Sequence, residues 1–260
     1  MAGKLTIKSV TPQSLIHTRK GNEELLARYL RVWTRHEPGQ TAMTLSAGPR
    51  SGLAPCITLS RKIGVGALEV AEIVADKLGY AVADRALIEL IANQADISEK
   101  AIAFFDERFP GYANRTFKYL FGEKAFIDSD YSRHLVRAVL GMAASAPTVF
   151  VGRGAHMILP RERVLAVRCI CSDDYRAGRM AKLLGIGKSA AMKKLSSSDK
   201  EQASFFRKVF GLKKAVAYEF DLVINLDHIC DPEDAADIIV LAFDRKFNAK
   251  NALSEDKIPA

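Results

Sequence analysis

The stretch that decides the fold runs from Cys56 to Val70 and reads CITLSRKIGVGALEV. Its first four residues form a short apolar run typical of a buried strand, and the residues after Gly66 have helical periodicity. Between them lie Gly64 and Gly66, which let backbone N–H groups turn inward toward an anion beside the N-terminus of the helix. The order of strand, glycine loop and helix predicts a phosphate-binding loop, with an ordinary tight strand-to-helix turn as the alternative.

The loop departs from the phosphate-binding pattern G-x-x-x-x-G-K-S/T. If Gly66 is the second glycine of that pattern, Arg61 stands in place of the first. Ala67 and Leu68 then replace the lysine and the hydroxyl residue, and Glu69 follows them. The loop therefore offers Mg²⁺ no hydroxyl group, and it lacks the charge that the lysine normally supplies.

Short apolar strands alternate with helices along the rest of the chain. The predicted strands are Cys56–Leu59, Tyr80–Ala83, Thr148–Val151, Leu165–Ile170 and Leu222–Asn225. The predicted helices are Gly66–Leu78, Arg85–Gln94, Ser98–Arg108 with Ser98 as N-cap, Tyr131–Ser145, Asp173–Leu184 and Pro232–Phe247. This alternation predicts an α/β fold with a five-stranded parallel sheet, flanked by helices and joined by right-handed crossovers.

The residues before the first strand have a different composition. Asn22–His36 has apolar residues at near-helical spacing, which predicts an amphipathic helix, and Pro38–Pro55 is rich in Gly, Pro, Ser and Thr like a linker. The helix could pack on its own domain or on a second subunit, so a homo-oligomer is possible. The predicted organisation is an N-terminal helix and linker (1–55), a main domain (56–247) and a flexible tail (248–260).

The composition is that of an ordinary globular protein, with 48% hydrophobic and 26% charged residues in a chain of 260. No apolar run reaches the roughly 20 residues that span a bilayer, and the first residues do not resemble a signal peptide. The four cysteines form no CxxC pair and the five histidines lack ligand spacing, so we expect no metal held by side chains alone. Unpaired buried thiols suit a reducing compartment, and we expect a cytoplasmic protein without a membrane partner.

The positive charge of the chain is concentrated in one stretch. The formal net charge is +8, and residues 176–214 contain eleven Lys or Arg side chains opposed only by Asp199 and Glu201. Such a cluster favours an anionic ligand, either phosphates or nucleic acid, unless it is a set of solvated helix faces. Aromatic residues are few in this stretch, so stacking on nucleic-acid bases is poorly supported and a nucleic-acid partner is not expected.

Several segments of the chain resemble the cytidylate kinase-like family. The opening ITLSRKIGVGALEVAEIVADKLGYAVADRALIELIA is similar to the family's strand, Ser-Arg-Glu-x-Gly-Ser-Gly-Gly loop, helix and Tyr-x-Asp-Lys-x-Leu-Ile segment. Similar pieces follow in the family's order, namely TVFVGRGAHMIL, VRCICSDDYRAGRM, SSDKEQASFFRKVFG and EFDLVINLDHI. The resemblance covers about residues 56 to 246.

This resemblance implies a P-loop nucleotide-kinase fold with a basic helical lid at about 176–214 and an acceptor-binding region at about 84–131. It also implies an ATP-dependent nucleoside monophosphate kinase, which transfers the γ-phosphate of ATP to a small acceptor such as CMP. The resemblance implies that Mg²⁺ would be held mainly by the nucleotide phosphates. Nucleotides are therefore the expected partners of the chain.

The chain also departs from the family pattern. Val65 and Ala67 replace the second Ser and the last Gly of the loop, and Lys62 replaces a Glu and so reverses its charge. In the lid, Gln202 stands where the family often has an Arg. These changes leave open an alternative function, a catalytically impaired nucleotide-binding or regulatory module with the same fold.

Phosphoryl transfer needs positioning and charge cancellation more than covalent chemistry, and this requirement indicates residues on the donor side. The backbone N–H groups of Gly64, Val65, Gly66 and Ala67 would bind the donor phosphates. Arg61 has a planar fork suited to phosphate, so it could supply the charge of the missing lysine.

Three arginines are candidates for contacts with the acceptor and the transferred phosphate. Arg153 ends an apolar strand, and the carboxyl ends of parallel strands are where open α/β sheets bind ligands. By resemblance, Arg153 would bind the acceptor phosphate. Arg176 and Arg179 lie three residues apart on one face of a predicted helix. By resemblance, both would close over the transferred phosphate from the lid.

Three further residues complete the set of candidates on the acceptor side. Asp84 ends the second predicted strand and could hold the acceptor, or Mg²⁺ through water, or could simply cap the next helix. Asp199 and Arg207 are weaker candidates in the lid. Asp199 could instead be a helix cap near Ser198.

Overall fold

A five-stranded parallel sheet runs through the main domain, as the alternation of strands and helices predicts. The structure is a computed structural model, and it describes residues 22–34, 53–108, 130–211 and 217–247. The strands are β1 (Cys56–Arg61), β2 (Ala81–Ala83), β3 (Thr148–Val151), β4 (Val164–Ile170) and β5 (Leu222–Asn225). Their order in the sheet is β2-β3-β1-β4-β5, so β1 occupies the centre.

The register of β1 brings the ends of its neighbours together. Leu59 pairs with Val151 of β3 and Arg61 pairs with Cys169 of β4, while Ala83 at the end of β2 is also in register with β3. All these pairings are parallel, so the segments that follow β1, β2 and β3 leave the sheet at one edge. Open α/β sheets bind their ligands at that edge.

Helices cover both faces of the sheet. They are α1 (Asn22–Thr34), α2 (Ala67–Leu78), α3 (Arg85–Ala92), α4 (Ala95–Arg108), α5 (Asp130–Ser145), α6 (Ala155–Ile158), α7 (Asp173–Leu184), α8 (Lys188–Phe210) and α9 (Pro232–Phe247). One apolar core lies between the sheet and α1, α3, α4 and α5, and a second lies between the sheet, α2 and α9. A small third core joins α7 and α8. We call these two helices the lid.

Two predicted helix caps are wrong. The fourth helix begins at Ala95 rather than at Ser98, and Ser98 is fully buried with its hydroxyl bonded to the imidazole of His134. Asp199 lies in the middle of α8, a continuous helix of 23 residues, so it caps nothing. In both cases the polar side chain has a partner on another helix, and that tertiary contact outweighs the local capping preference. The predicted linker lies mostly outside the described residues, and the predicted tail lies entirely outside them.

Helix α1 packs on its own domain, which is one of the two alternatives left open by the sequence. Tyr29 and Trp33 are buried and stacked, with ring centroids 5.5 Å apart. The indole Nε1 of Trp33 donates a hydrogen bond of 2.8 Å to the hydroxyl of Ser145 at the end of α5. The helix thus extends the core beneath α3, α4 and α5, and association of two chains through it stays a prediction.

The cysteine side chains lie in the described residues as free thiols. All four cysteines are unpaired. Burial raises the pKa of Cys56 and Cys169 to about 12, so both thiols are uncharged and unreactive at neutral pH. Within the described residues no group of His, Cys, Asp and Glu could hold a metal ion. None of the described helices has the length and apolar character needed to cross a membrane.

Asp221 fastens the start of β5 to two neighbouring elements. Its carboxylate accepts two hydrogen bonds of 2.6 Å from Arg161, one of 2.8 Å from Lys246 and one of 2.8 Å from the N–H of Ala166. Arg161 lies just before β4 and Lys246 lies in the last turn of α9. Partial burial alone would raise the pKa of the Asp221 carboxyl, but these donors lower it to about 2.

We predict that Trp33→Ala lowers the free energy of unfolding by about 3 kcal/mol, because it removes a large buried ring and its hydrogen bond. Urea denaturation at constant pH measures the change. Arg31→Ala, on the exposed side of the same helix, serves as the matched control and should change stability little. A Trp33→Ala curve that coincides with the wild-type curve would contradict the docking of α1.

We predict that Asp221→Asn lowers the free energy of unfolding by about 1 kcal/mol at pH 7, because solvent screens this partly exposed carboxylate and reduces the value that the pKa shift alone would give. The pKa of Asp221 is lowered from 3.8 to about 2 in the folded protein, so the stabilising effect is complete above the unfolded pKa. It is lost as the pH falls from about 4 toward 2. Denaturation of wild type and variant across this range should show their difference shrinking, and a constant difference would exclude a contribution from the charge.

Candidate functional site

The glycine loop, residues 62–66, connects β1 to α2 at the ligand-binding edge of the sheet. Gly64 and Gly66 have φ angles of 87° and 99°, in the left-handed region that other residues rarely adopt. Gly66 is also the N-cap of α2 and offers no side-chain cap to the first turn of the helix. The local conformation therefore depends on glycine at both positions.

The backbone N–H groups of this loop are available to a ligand. Within the described part of the chain, no backbone or side-chain acceptor takes the N–H groups of residues 63–68. The first backbone bonds of the helix are made by the N–H groups of Glu69 and Val70, which both bond to the carbonyl of Gly66. Successive free N–H groups at a helix N-terminus form a site suited to an anion.

The lid packs directly on the loop. A Cβ on Gly64 would lie 3.0 Å from Cγ of Met180 and 3.2 Å from Cδ2 of Leu195, so the loop and the lid meet without space for a side chain. Val65 and Ala67 point away from the lid into the core under α2 and are buried. The two positions where the loop departs from the family's Ser and Gly are thus packing positions in this chain.

Arg179 of the lid lies over the start of α2. Its Nε would be 3.4 Å from a Cβ placed on Gly66, and its guanidinium forms an ion pair with Glu69 in the first turn of α2. A negatively charged ligand on the loop would therefore meet the Arg179 cation. Such a ligand would compete with Glu69 for that cation.

Arg176 has a different environment, although it shares a helix face with Arg179 as predicted. It is 1% exposed and donates to Asp173 at 2.7 Å and to Asp199 at 2.6 and 3.0 Å. Its Nε donates to the carbonyl of Ile63 at 2.8 Å, which ties the lid to the glycine loop. Because two carboxylates already neutralise Arg176, the geometry favours Arg179 as the lid cation that meets a phosphate.

Asp199 joins the lid to the loop a second time. Besides Arg176 it pairs with Lys62, whose Nζ lies 3.2 Å from Oδ2 of Asp199. The charge reversal at Lys62 is therefore accommodated by a lid carboxylate. Close by, Gln202 donates a hydrogen bond of 2.8 Å to the carbonyl of Arg61 and so holds the end of β1.

A cavity of about 490 Å³ opens beside the glycine loop, and we call it the arginine cavity. It is bounded by the end of β1, by the segment after β3, by α3, by the start of α5 and by the second lid helix. The lining residues are Arg61, Ile63, Arg85, Glu89, Asn93, Tyr131, Arg153, Glu201, Gln202, Ser204, Phe205, Phe206 and Lys208.

Cations outnumber carboxylates deep in the arginine cavity. The Nε of Arg85 is 3.3 Å from Oε1 of Glu89, and Arg153 pairs with the same carboxylate. Burial, together with the nearby Arg85 cation, lowers the pKa of Arg153 to about 9 and that of Arg61 to about 10. Both groups remain cationic at pH 7, so the cavity favours an anionic ligand.

Arg153 is held in an unusual conformation. Its φ is 50°, and it is the single non-glycine residue with positive φ in the described part of the chain. It lies between Gly152 and Gly154, and its guanidinium lies 4.2 Å from the centroid of the Phe205 ring. Its Nε and the Oε1 of Gln202 are buried without a hydrogen-bond partner in the described residues, so a polar ligand has unsatisfied groups to bind.

The structure separates the predicted acceptor residues into two groups. Arg153 lines the cavity, whereas Asp84 does not and instead caps α3 by accepting a hydrogen bond of 2.8 Å from Leu87. Arg207 is exposed on α8 and lies outside the cavity, and the adjacent Lys208 lines it. Helix periodicity explains this difference, because neighbouring residues on a helix point about 100° apart.

Sequence reasoning missed two residues that shape the cavity, Arg85 and Glu89. Arg85 directly follows Asp84 at a strand end, and Glu89 lies four residues further along α3. A cation at the ligand-binding edge with an acidic partner one helical turn away was a signal for both residues.

Comparison with known proteins bears on this arrangement. A family model described as the cytidylate kinase-like family matches residues 56–228, and a search of curated proteins finds no match. An uncharacterized protein from Eubacterium ventriosum has a similar structure, with a TM-score of 0.58, 17% sequence identity, and coverage of 75% of this chain and 99% of that one.

Two kinase-related comparisons are more distant. Shikimate kinase from Bacteroides thetaiotaomicron gives a TM-score of 0.37 at 15% identity over 74% of this chain and 96% of its own. TT1252 from Thermus thermophilus gives a TM-score of 0.44 at 16% sequence identity, with coverage of 74% of this chain and 98% of its own. These two scores are too low to bear on the fold.

The family match covers all five described strands, the glycine loop, the lid and the residues that line the arginine cavity. The parallel sheet with β1 at its centre and the glycine loop before α2 agree with the P-loop kinase α/β fold. Helix α1 lies before the match and α9 lies after it. The chain is a nucleotide kinase-like protein and belongs to the cytidylate kinase-like family.

Proposed function

We propose that this protein is a nucleoside monophosphate kinase, which transfers the γ-phosphate of ATP to a small acceptor such as CMP. One observation carries the proposal. A glycine loop with unpartnered N–H groups lies beside a cavity in which arginines outnumber carboxylates, at the same edge of the sheet. Phosphoryl transfer needs two adjacent phosphate sites of this kind.

On the donor side, the loop residues fit a polyphosphate. The N–H groups of residues 63–68 have no acceptor among the described residues, and Arg179 adds a cation beside Gly66. Mg²⁺ would be held mainly by the nucleotide phosphates and would cancel part of their charge.

On the acceptor side, the arginine cavity fits a phosphate monoester. Arg61, Arg85 and Arg153 together carry more charge than Glu89 removes, and a guanidinium binds phosphate oxygens in pairs. Tyr131 and Phe206 give the same cavity apolar surface for the rest of a nucleotide. Deletion of one of these arginines should therefore weaken acceptor binding more than it weakens the fold.

The lid residues would serve the transfer step by exclusion of water and by fixing the distance between the two sites. Met180 and Leu195 cover the loop with apolar surface. Arg176 links the lid to the carbonyl of Ile63, which keeps the lid and the loop in register. Arg179, with its partner Glu69 displaced, would stabilise the charge on the transferred phosphate.

A second candidate function is a nucleotide-binding or regulatory module without turnover. It is favoured by one observation, that lid residues which could cancel phosphate charge are neutral or already paired. Gln202 is neutral and bonds to a backbone carbonyl, and Arg176 is bound by two carboxylates. Such a module would bind nucleotides in the same places and leave them unchanged.

We predict that wild type converts one nucleoside monophosphate to its diphosphate with ATP and Mg²⁺, and that Arg153→Ala reduces kcat/KM by at least about 100-fold. The reason is the loss of a buried guanidinium from the acceptor cavity. Chromatography of reactions with each common nucleoside monophosphate measures the product. Arg207→Ala, which removes an exposed arginine of the lid helix α8, is the matched control and should retain activity.

The outcomes separate the two candidate functions. Turnover that survives in Arg153→Ala would contradict the assignment of the cavity to the acceptor. Without turnover by wild type, a thermal shift with ATP or CMP would favour the binding module, and the absence of any shift would contradict both.

We predict that Glu69→Gln strengthens the binding of ATP about threefold, because an exposed ion pair contributes up to about 1 kcal/mol and the donor phosphates must displace Glu69 from Arg179. Isothermal titration calorimetry measures the affinity. Asp76→Asn makes the same charge change near the other end of α2, where the carboxylate is exposed. An equal gain in both variants would indicate an effect of net charge, and weaker binding in Glu69→Gln would contradict the competition.

A further inference from the structure

We propose that Asn22 of helix α1 is a positioning residue for the arginine cavity and that it acts through Asp84. The inference rests on the proposed function, in which this cavity binds the acceptor. It assigns a role in that site to a helix that lies before the residues matched by the family model.

The contact that carries the inference is buried and specific. The Nδ2 of Asn22 donates to both carboxylate oxygens of Asp84, at 3.2 and 3.3 Å. Asn22 is 7% exposed and Asp84 is 3% exposed. The same carboxylate accepts the 2.8 Å hydrogen bond from the N–H of Leu87. A buried charge needs such donors, because water cannot reach it.

Asp84 in turn fixes the wall of the cavity. It is the N-cap of α3, and the first residue of that helix, Arg85, and the fifth, Glu89, both line the cavity. Glu89 then pairs with Arg153 across the cavity. A shift of Asp84 would therefore move α3 and with it the carboxylate that orients Arg153.

Asp84 also acts on the cavity through its charge. Its carboxylate raises the pKa of Arg61, against the larger lowering by burial and the lowering by Arg85. The orientation of that buried carboxylate is set by Asn22. The amide of α1 thus influences cations on both β1 and α3, although it does not line the cavity itself.

The docking of α1 on the core does not by itself require a polar amide at the position of Asn22. Tyr29 and Trp33 already attach α1 to the core through apolar surface and the hydrogen bond to Ser145. An amide at a buried position is unfavourable unless it is bonded, and the Oδ1 of Asn22 has no partner in the described residues. An asparagine is therefore best explained by what its Nδ2 does for Asp84.

The test compares Asn22→Ala with Trp33→Phe in the full-length protein. Asn22→Ala removes the donor to both oxygens of Asp84, and Trp33→Phe removes the donor to Ser145, so only the first variant touches Asp84. Calorimetry with CMP and with inorganic phosphate should show about tenfold weaker binding for Asn22→Ala, the value expected for a lost hydrogen bond to a charged group. Trp33→Phe should bind both ligands like wild type, and melting curves show how far each variant is destabilised.

A second readout needs no nucleotide. The rate of phenylglyoxal modification of Arg85 and Arg153, mapped by mass spectrometry, reports how well α3 and Glu89 hold these side chains. We expect Asn22→Ala to raise both rates several-fold, with Arg207 unchanged as an exposed reference, and Trp33→Phe to leave them unchanged.

The two readouts separate the failure of the inference from the failure of the proposed function. Unchanged affinity and unchanged arginine reactivity in Asn22→Ala, or equal effects in both variants, would overturn the positioning role. If wild type binds neither CMP nor phosphate while Asn22→Ala still exposes Arg85 and Arg153, the coupling stands and the acceptor role of the cavity is overturned.

Discussion

The parallel pairing of β1 with both β3 and β4 is the constraint on which the rest of the site depends. Parallel strands end at the same edge, so this pairing brings together backbone segments that are far apart in the chain. The glycine loop after β1, Asp84 after β2 and Arg153 after β3 meet there. The apolar character of the central strands stabilises the arrangement, because each strand is covered on both faces and excludes water from the ladder.

Several cations at one edge of the sheet are unfavourable in free energy, and nearby carboxylates offset part of this by pairing with them. An unpaired buried charge is strongly destabilising, whereas a paired one is tolerated. Arg176 and Lys62 share Asp199, and Glu89 serves two arginines of the cavity. In the lid the pairs anchor helices to the loop, whereas in the cavity cations outnumber carboxylates and positive charge is left over. This difference separates the ion network of the lid from the cavity that we propose as an anion site along the same sheet edge.

Local sequence patterns predicted the elements better than the contacts between them. The limits of Thr148–Val151 and Leu222–Asn225 match the structure, because short apolar runs bounded by polar residues leave little choice. The lid helix Lys188–Phe210 was not predicted at its full length, since its serine-rich middle resembles a break and its few buried residues face a separate small core. The role of Arg85 could not be derived either. It depends on the direction in which α3 leaves Asp84. Helix α1, which lies earlier in the chain, helps to fix that direction through the contact of Asn22 with Asp84.

The departures of the loop from the family pattern form a consistent set rather than scattered losses. Val65 and Ala67 are buried, so their side chains fill the core while the N–H groups beside them stay free. Lys62 reverses the charge of the family's Glu, and Asp199 of the lid forms an ion pair with it. Gln202 stands where the family often has an Arg, and it donates a hydrogen bond to the backbone carbonyl at the end of β1. Gly64 and Gly66 keep the left-handed conformation, and cations outnumber carboxylates in the cavity. The physical compensation at each altered position is compatible with the proposed phosphate site, in which the charge network is rearranged.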